Sequence, residues 1–303
     1  MVLQMVDVSI IIVNYNTKEL TKQCIASIIQ KTGEICYEII VVDNASTDGS
    51  KEYFQNLENI VFLPQKNNLG FGRANNKGLK VATGKYVFFL NSDTYLRNNA
   101  LKLFYDFMEG YDKKVGCIGC LLKDVNLDRT HSYADFPSKR ELLLGRLLNP
   151  IYNLFGKKYH ILDQGKAIKS NHFNVDYVTG ADLFVRKEVL DKFGGFDPDF
   201  FMYYEETELQ KRLTKHGYPS MIIVGPEIVH LEGASVNKQK GVRNYRKMMM
   251  VQKSQFIYFK KVGNTFYYVL YRLSFLIIRL PFLLFSNTPF NIKKEYLKLL
   301  IYS

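Results

Sequence analysis

Apolar residues fall along the first half of the chain in short solid runs, each closed by polar ones. VSIIIV at Val8 to Val13 precedes Asn14, Tyr15 and Asn16; EIIVV at Glu38 to Val42 precedes Asp43; YVFFL at Tyr86 to Leu90 precedes Asn91, Ser92 and Asp93. Runs of β-branched and aromatic residues without alternation are the pattern of strands buried on both faces. Between them apolar residues recur at helical spacing, at Leu20, Ile25, Ile28 and Ile29 and again at Tyr53, Phe54 and Leu57, and Ile60 to Leu63 adds a further short strand. Strands alternating with helices of about a dozen residues predict a mainly parallel α/β sheet flanked by helices. In such a sheet ligands bind outside the carboxyl ends of the strands, which here carry Asp43 and the Asn91-Ser92-Asp93 triplet.

Next, NNLGFGRANNKG at Asn67 to Gly78 offers Gly70 and Gly72 for a tight turn before a helix through Ala74 to Val81, with Arg73 in reach of a phosphate. The spacing is neither a Walker loop nor a dinucleotide fingerprint. A helix is expected around Ala100 to Glu109 and a strand over Val115 to Leu122; Cys117 and Cys120 in that strand lack a second pair and read as core thiols. Residues 129–172 are poorly periodic, as in a long, partly mobile insertion beside a site. Strand character returns over Val175 to Val185 around Gly180. FGGFDPDFFMYYEETEL then delivers Glu205, Glu206 and Glu208 to the start of a helix ending near Gly217. The helix dipole stabilises acids there and predicts a carboxylate kept ionised at neutral pH, as a general base requires. Met221 to Val224 and Ile228 to Leu231 are short strands. His230 in the latter reads, among apolar neighbours, as a hydrogen-bonded core histidine.

Composition changes the picture through charge. The 303 residues suffice for a full core, and 47% hydrophobic with 23% charged residues is ordinary for a globular protein. The net charge of +12 is unevenly placed: residues 1–235 hold 28 basic and 28 acidic residues, whereas 236–303 hold 13 basic residues and the single acid Glu295. A neutral body followed by a basic tail with a different task is the expected organisation. Four irregularly spaced cysteines, and no secretory signal ahead of the first strand, point to the cytoplasm.

Taken in order, SIIIVNYN, VVDNASTDGS, NLGFGRANNKG, FFLNSDT, VTGADLFVRKEVLDKFGGFD and FFMYYEETEL resemble glycosyltransferase family 2, and most of all its rhamnosyltransferase-like branch, over about residues 7–260. The resemblance implies a GT-A fold and inverting transfer of a sugar from a UDP- or dTDP-sugar, with dTDP-rhamnose one candidate. The acceptor would be a hydroxyl of a glycan or lipid-linked acceptor of cell-surface polysaccharide. It assigns Tyr15 and Asp43 to the pyrimidine base, Arg73 to the neighbourhood of the diphosphate with Ser92 also on the nucleotide, and Asp93 to the metal. His230 completes the metal shell in some members, and Glu206 is the catalytic base. Two positions depart from the family pattern. Asn91 stands where the first acid of a DxD motif is usual, and a glutamate serves where aspartate is commoner as base, leaving Glu205 as a substitute. A departing diphosphate needs a hard divalent cation, Mn²⁺ or Mg²⁺, and a histidine ligand tilts the choice toward Mn²⁺.

The expected domains are a GT-A catalytic domain over 1–235, with a nucleotide-sugar half at about 1–125 and an acceptor half at about 126–235, and a basic amphipathic helical tail over 236–303. In the tail Arg246, Lys253 and Lys260 are seven residues apart, as are Arg272 and Arg279, so each set shares a helix face. Thr265 to Phe285 approaches the length of a bilayer span, but Arg272, Arg279 and Pro281 make crossing costly. An in-plane helix on an anionic membrane surface, peripheral at the inner face of the cell membrane, is expected. The alternative is a cationic face packed on the enzyme or on a partner subunit, and a homodimer is a further candidate. Nucleic acid is not an expected partner, since no binding motif accompanies the basic residues. Two other functions fit less of the chain. A sugar-phosphate nucleotidyltransferase would need a glycine-rich, basic signature near the first strand, and a catalytically silent membrane-bound sugar-nucleotide binder would not need Asp43, Asp93 and Glu206 together.

Overall fold

A computed structural model describes residues 5–111, 114–138, 170–231, 245–285 and 289–302. Its strands are β1 (Val8–Asn14), β2 (Tyr37–Asp43), β3 (Val61–Pro64), β4 (Tyr86–Asn91), β5 (Thr94–Leu96), β6 (Cys117–Cys120), β7 (Tyr133–Ala134), β8 (His172–Val175), β9 (Tyr177–Val178), β10 (Asp182–Arg186), β11 (Ser220–Ile223) and β12 (Ile228–His230). Eight of them form one sheet in the order β3-β2-β1-β4-β10-β6-β11-β8. Six run in one direction, while β10, wedged between β4 and β6, and the edge strand β8 run against them. The mainly parallel sheet expected from the apolar runs is present. The chain enters the central antiparallel strand after a long excursion, residues 121–181. Most of the segment read as a mobile insertion, residues 139–169, lies outside the described residues.

The solid runs are apolar on both sides because both faces of the sheet are covered. Ile10, Ile12, Phe88 and Leu90 face Cys24, Ile25 and Ile28 of helix α1 (Lys18–Lys31). Ile11, Ile40, Val87 and Phe89 belong to the opposite core, with Ala74, Val189, Leu209 and Leu213. Register places the strand ends together: Asn14 lies opposite Asp43, and Val13 opposite Asn91. Cys117 and Cys120 are buried free thiols, as read; burial pushes both above the ordinary thiol range.

Local differences from the sequence reading have simple causes. Helix α2 (Ser50–Phe54) stops before Leu57. Helix α3 (Phe71–Leu79) starts three residues earlier than the Ala74 expected, so Gly72 sits in its first turn and only Gly70 makes the bend. Helices α4 (Ala100–Gly110), α5 (Lys187–Phe193) and α6 (Glu205–Lys215) complete the set around the strands. The last ends before Gly217, as expected.

The chain divides into two compact units, and all the strands belong to the first. The second gathers residues 202–204 and helices α7 (Tyr245–Val262), α8 (Thr265–Phe285) and α9 (Phe290–Tyr302). Its interior is aromatic: Phe256, Phe259, Tyr271 and Phe275 are buried, and the Phe256 and Phe275 rings meet edge-on at 5.4 Å. Arg272 is a correction to the expected cationic face. Its guanidinium lies 4.5 Å from the centre of the Phe256 ring and donates to the Tyr268 hydroxyl and the Leu300 carbonyl. Tyr203 and Tyr204 both have left-handed backbone (φ 71° and 70°), a conformation that costs non-glycine residues energy. Ser254 donates to the Met202 carbonyl and Gln255 to the Tyr204 hydroxyl, which tie this turn to α7.

Gly70 is a position in the first unit where both the backbone angle and the surroundings exclude a side chain. Its φ is +83°, and a Cβ built on it would sit 2.0 Å from the carbonyl oxygen of Phe201. The Phe71 amide donates to that same carbonyl at 2.8 Å, so the oxygen cannot retreat without losing a bond. Gly70→Ala is expected to lower stability by about 2–4 kcal/mol in urea unfolding, whereas Gly33→Ala, where nothing lies within 4 Å of the added carbon, is expected to be near neutral. Equal effects at the two positions would remove the steric argument.

Candidate active site

The carboxyl edge of β2, β1 and β4 is organised by Asn14, which in the sequence is only one of the polar residues closing the first apolar run. It is fully buried, and its amide donates to Asp43 Oδ1 at 2.7 Å and to Ser46 Oγ at 2.9 Å. Its Oδ1 accepts from the hydroxyls of Thr17 (3.0 Å) and Thr21 (2.7 Å). Thr17 in turn lies 3.1 Å from the Ser92 hydroxyl. One amide therefore ties the loop after β2 to the loop after β4 and holds Asp43 by one oxygen, while the Ser46 backbone holds the other. Asn44 performs a similar service next door: its Oδ1 accepts from the Leu69 amide and its Nδ2 donates to Asn68, fixing the entry to α3. Tyr15, just past β1, is 46% exposed, so its ring is available to a flat ligand.

Asp93 and His230 meet across two short strands. β12 pairs with β5, placing His230 opposite Thr94. The Leu231 amide donates to the Asp93 carbonyl, and His230 Nε2 comes within 3.3 Å of Asp93 Oδ1. The Asn91 amide reaches the same Nε2 at 3.5 Å. His230 is thus more than the core histidine its apolar neighbours suggested. Among the described residues no cluster of three His, Cys, Asp or Glu forms a full metal cage. The donors that are present do fit an ion: two ligands at right angles, each about 2.1 Å from a cation, lie about 3 Å apart, close to the observed 3.3 Å. Asn91, whose amide oxygen and nitrogen are interchangeable in placement, could add a neutral oxygen. The remaining positions would go to water or substrate oxygens, as is usual for Mg²⁺ and Mn²⁺.

The glutamates at the start of α6 differ. Glu205 is buried, and a Cβ on Gly72 would lie 3.4 Å from its Cβ. Glu208 is buried in a two-bond pair with Arg212. Glu206 is half-buried above Gly180, where an added Cβ would stand 3.6 Å from both Glu206 Cβ and the Phe71 ring. Gln210 anchors this helix by exchanging two hydrogen bonds with the Val178 backbone, at 2.8 and 2.7 Å. The next residue after Gly180, Ala181, accepts from the Asn91 amide at 3.0 Å, so the turn beneath Glu206 is bonded directly to the end of β4. Burial raises the Glu206 carboxyl, an effect the helix-dipole expectation did not include, and the hydrogen bonds from Thr207 and the helix start offset it only in part. Arg73 is on the exposed side of the first turn of α3, its Nε donating to the Pro198 carbonyl at 2.5 Å.

Elsewhere in the first unit, a groove of about 820 Å³ opens at the opposite edge of the sheet, beside the start of β4. Its cations are engaged, Lys85 with Glu109, Lys187 with Asp191, and Arg186 with the Tyr86 hydroxyl and the Met108 carbonyl. It offers no spare charge to a diphosphate.

The model of the family described as glycosyl transferase family 2 matches residues 9–193, more than half of the chain. Over 106 residues the chain is 37% identical to the poly(ribitol-phosphate) beta-glucosyltransferase of Bacillus spizizenii, covering 33% of this chain and 17% of that enzyme. Over 214 residues it is 25% identical to the N-acetylglucosaminyl-diphospho-decaprenol L-rhamnosyltransferase of Mycobacterium tuberculosis, covering 66% and 68%. Among solved structures it is similar to GalNAc-T7 with UDP, GalNAc and Mn²⁺, with a TM-score of 0.58 and 15% identity over 85% of this chain and 48% of the other, a likeness of fold.

Asp182, next to Ala181, is fully buried opposite Leu90 and accepts from the Cys120 amide at 2.7 Å. Burial pushes its carboxyl up to about 7, against the lowering pull of Cys120 and of the His230 charge. The unfolded chain ionises this acid near the ordinary aspartate value of 3.8, so stability is full below that pH, falls as pH rises toward 7 and is flat above. Asp182→Asn, which keeps an acceptor for Cys120, is expected to remove this slope, worth on the order of 4 kcal/mol across the window. Urea unfolding of both proteins at intervals from pH 4 to pH 8 measures it, and parallel profiles would contradict the buried neutral acid.

Proposed function

From the premise that the chain belongs to glycosyl transferase family 2, we propose that it is an inverting transferase. It moves a sugar from a UDP- or dTDP-sugar, dTDP-rhamnose being the favoured donor, to a hydroxyl of a glycan or lipid-linked acceptor in cell-surface polysaccharide synthesis. Support for the sugar and for a lipid-linked acceptor comes from the mycobacterial relative, whose name carries both. The observation that carries the reading is the bond from Asn91 to Ala181, which holds a half-buried carboxylate and a carboxylate–imidazole pair on one edge of one sheet.

In this reading Tyr15 stacks on the pyrimidine and Asp43, fixed by Asn14, accepts from its ring. Arg73 adds charge near the diphosphate and Ser92 adds a hydroxyl. Asp93, His230 and Asn91 hold Mn²⁺ or Mg²⁺, which when bound neutralises the departing diphosphate. Glu206 takes the proton of the acceptor hydroxyl as that oxygen bonds to the anomeric carbon. The bond from that carbon to the diphosphate oxygen breaks on the opposite face, and its electron pair leaves with the nucleotide. Displacement from behind inverts the anomeric centre. Burial makes Glu206 a stronger base than a surface glutamate. It must be ionised to act, so turnover is expected to rise with pH through a midpoint above the ordinary glutamate range.

Glu206→Gln is expected to cut transfer by roughly 10²–10⁴-fold while leaving nucleotide-sugar affinity within a few-fold, measured by product formation and by calorimetric titration. The same exchange at Glu205 should leave transfer in place. Near wild-type transfer by the Glu206 variant, with loss in the Glu205 variant, would move the base to Glu205.

A further inference from the structure

Helix α8 turns toward solvent a face made of apolar side chains. Phe266, Val269, Leu270, Leu273 and Ile277 are between 45% and 71% exposed. They follow one another at helical spacings of three and four residues, forming one stripe roughly 16 Å long. The opposite side of the same helix holds Tyr268, Tyr271 and Phe275, which are buried, and Arg272, whose charge is spent on the Phe256 ring, the Tyr268 hydroxyl and the Leu300 carbonyl. The helix is therefore apolar on both its buried and its exposed sides, with Arg272 turned inward, unlike a surface helix of a globular protein, whose outer face is polar. An exposed stripe of this length marks a surface that something covers.

Charge identifies what covers it. In the same unit Arg246, Lys253 and Lys260 are exposed at heptad intervals on α7, and Lys294 and Lys298 are exposed on α9. Glu295 is the sole acid of the described C-terminal helices. A second copy of the chain would bring a unit of the same positive sign against this one and be repelled. A partner must offer apolar depth bordered by negative charge, which is what an anionic lipid surface offers. Crossing is not the mode of contact: among the described residues no helix is long and apolar enough to span a membrane, and Pro281 interrupts the apolar stretch.

We propose that α8 lies in the plane of an anionic membrane with Phe266, Val269, Leu270, Leu273 and Ile277 inserted below the headgroups and the α7 and α9 lysines at headgroup level. The assignment sharpens the membrane partner expected from charge alone, because it takes Arg272 out of the contact and makes the uncharged side of the helix the one that inserts. It does not depend on the donor sugar or on the catalytic base.

The chain contains no tryptophan, so Leu273→Trp gives the full-length protein a single reporter on the stripe. Its emission is expected to shift to the blue, and to be quenched by brominated acyl chains, on vesicles of phosphatidylcholine with phosphatidylglycerol but not on phosphatidylcholine alone. The double variant Leu273→Asp/Ile277→Asp, altered only at exposed positions, is expected to lose roughly tenfold or more in co-sedimentation with the anionic vesicles at an unchanged melting temperature. An indole that does not respond to either vesicle overturns the proposal, as does equal insertion into both. So does a dimer in sedimentation velocity that the double variant abolishes, since that would make a second copy the occupant. Metal-dependent donor hydrolysis, followed in the same samples, separates the two readings: its absence counts against the transferase and leaves the membrane result standing.

Discussion

The architecture of the candidate site depends on one buried amide. Asn14 is the last residue of β1, and a fully buried side-chain amide must find partners for both its donor and its acceptor or cost the fold several kcal/mol. It finds them in Asp43 and Ser46 on one side and in Thr17 and Thr21 on the other. Because Thr17 also lies against Ser92, the loops after β1, β2 and β4 are held in one hydrogen-bonded layer. Asp43 is thereby kept in place as an acceptor with a defined direction. Asp93 is only one residue beyond Ser92, so the same layer sets where its carboxylate stands against His230.

The second constraint is the antiparallel strand β10. Its pairing with β4 brings the turn at Thr179 to Ala181 to the carboxyl edge of the parallel strands. The Ala181 carbonyl closes on the Asn91 amide, Gly180 leaves space for Glu206, and Gln210 fastens α6 to the backbone of β9. Catalytic chemistry at a sugar's anomeric carbon requires the base and the leaving-group stabiliser on opposite sides of one small volume. The bond from the Asn91 backbone amide to the Ala181 carbonyl ties the candidate base and the candidate metal ligands of the proposed site to one edge.

Much of this was legible in the sequence, for a physical reason. β1, β2 and β4 are covered on both faces, so their residues are apolar without interruption and their ends announce themselves. Asp43, Asp93 and Glu206 sit at those ends or at a helix start, where a carboxylate is conspicuous. Asn14 was not conspicuous, because a buried amide and a turn asparagine look alike in a sequence. β10 could be read as a strand but not placed, since nothing local fixes which neighbours a strand takes after a long excursion. The inward turn of Arg272 was hidden for a similar reason: counting charge along the tail assigns every arginine to the surface, whereas an aromatic ring and a carbonyl at a helix end can hold one inside. The upward pull of burial on Glu206 is not readable from the sequence, where the helix start is visible and burial is not.

In the proposed transferase Asp93 and His230 hold a divalent cation against the diphosphate of a sugar nucleotide fixed by Tyr15 and Asp43. The most direct measurement is the melting temperature of the protein with UDP-, dTDP- and GDP-sugars, each with and without Mn²⁺. A UDP- or dTDP-sugar is expected to raise it only when Mn²⁺ is present, and Asp93→Asn to abolish the difference. Stabilisation by none of them, or equal stabilisation in the presence of a chelator, would contradict that expectation.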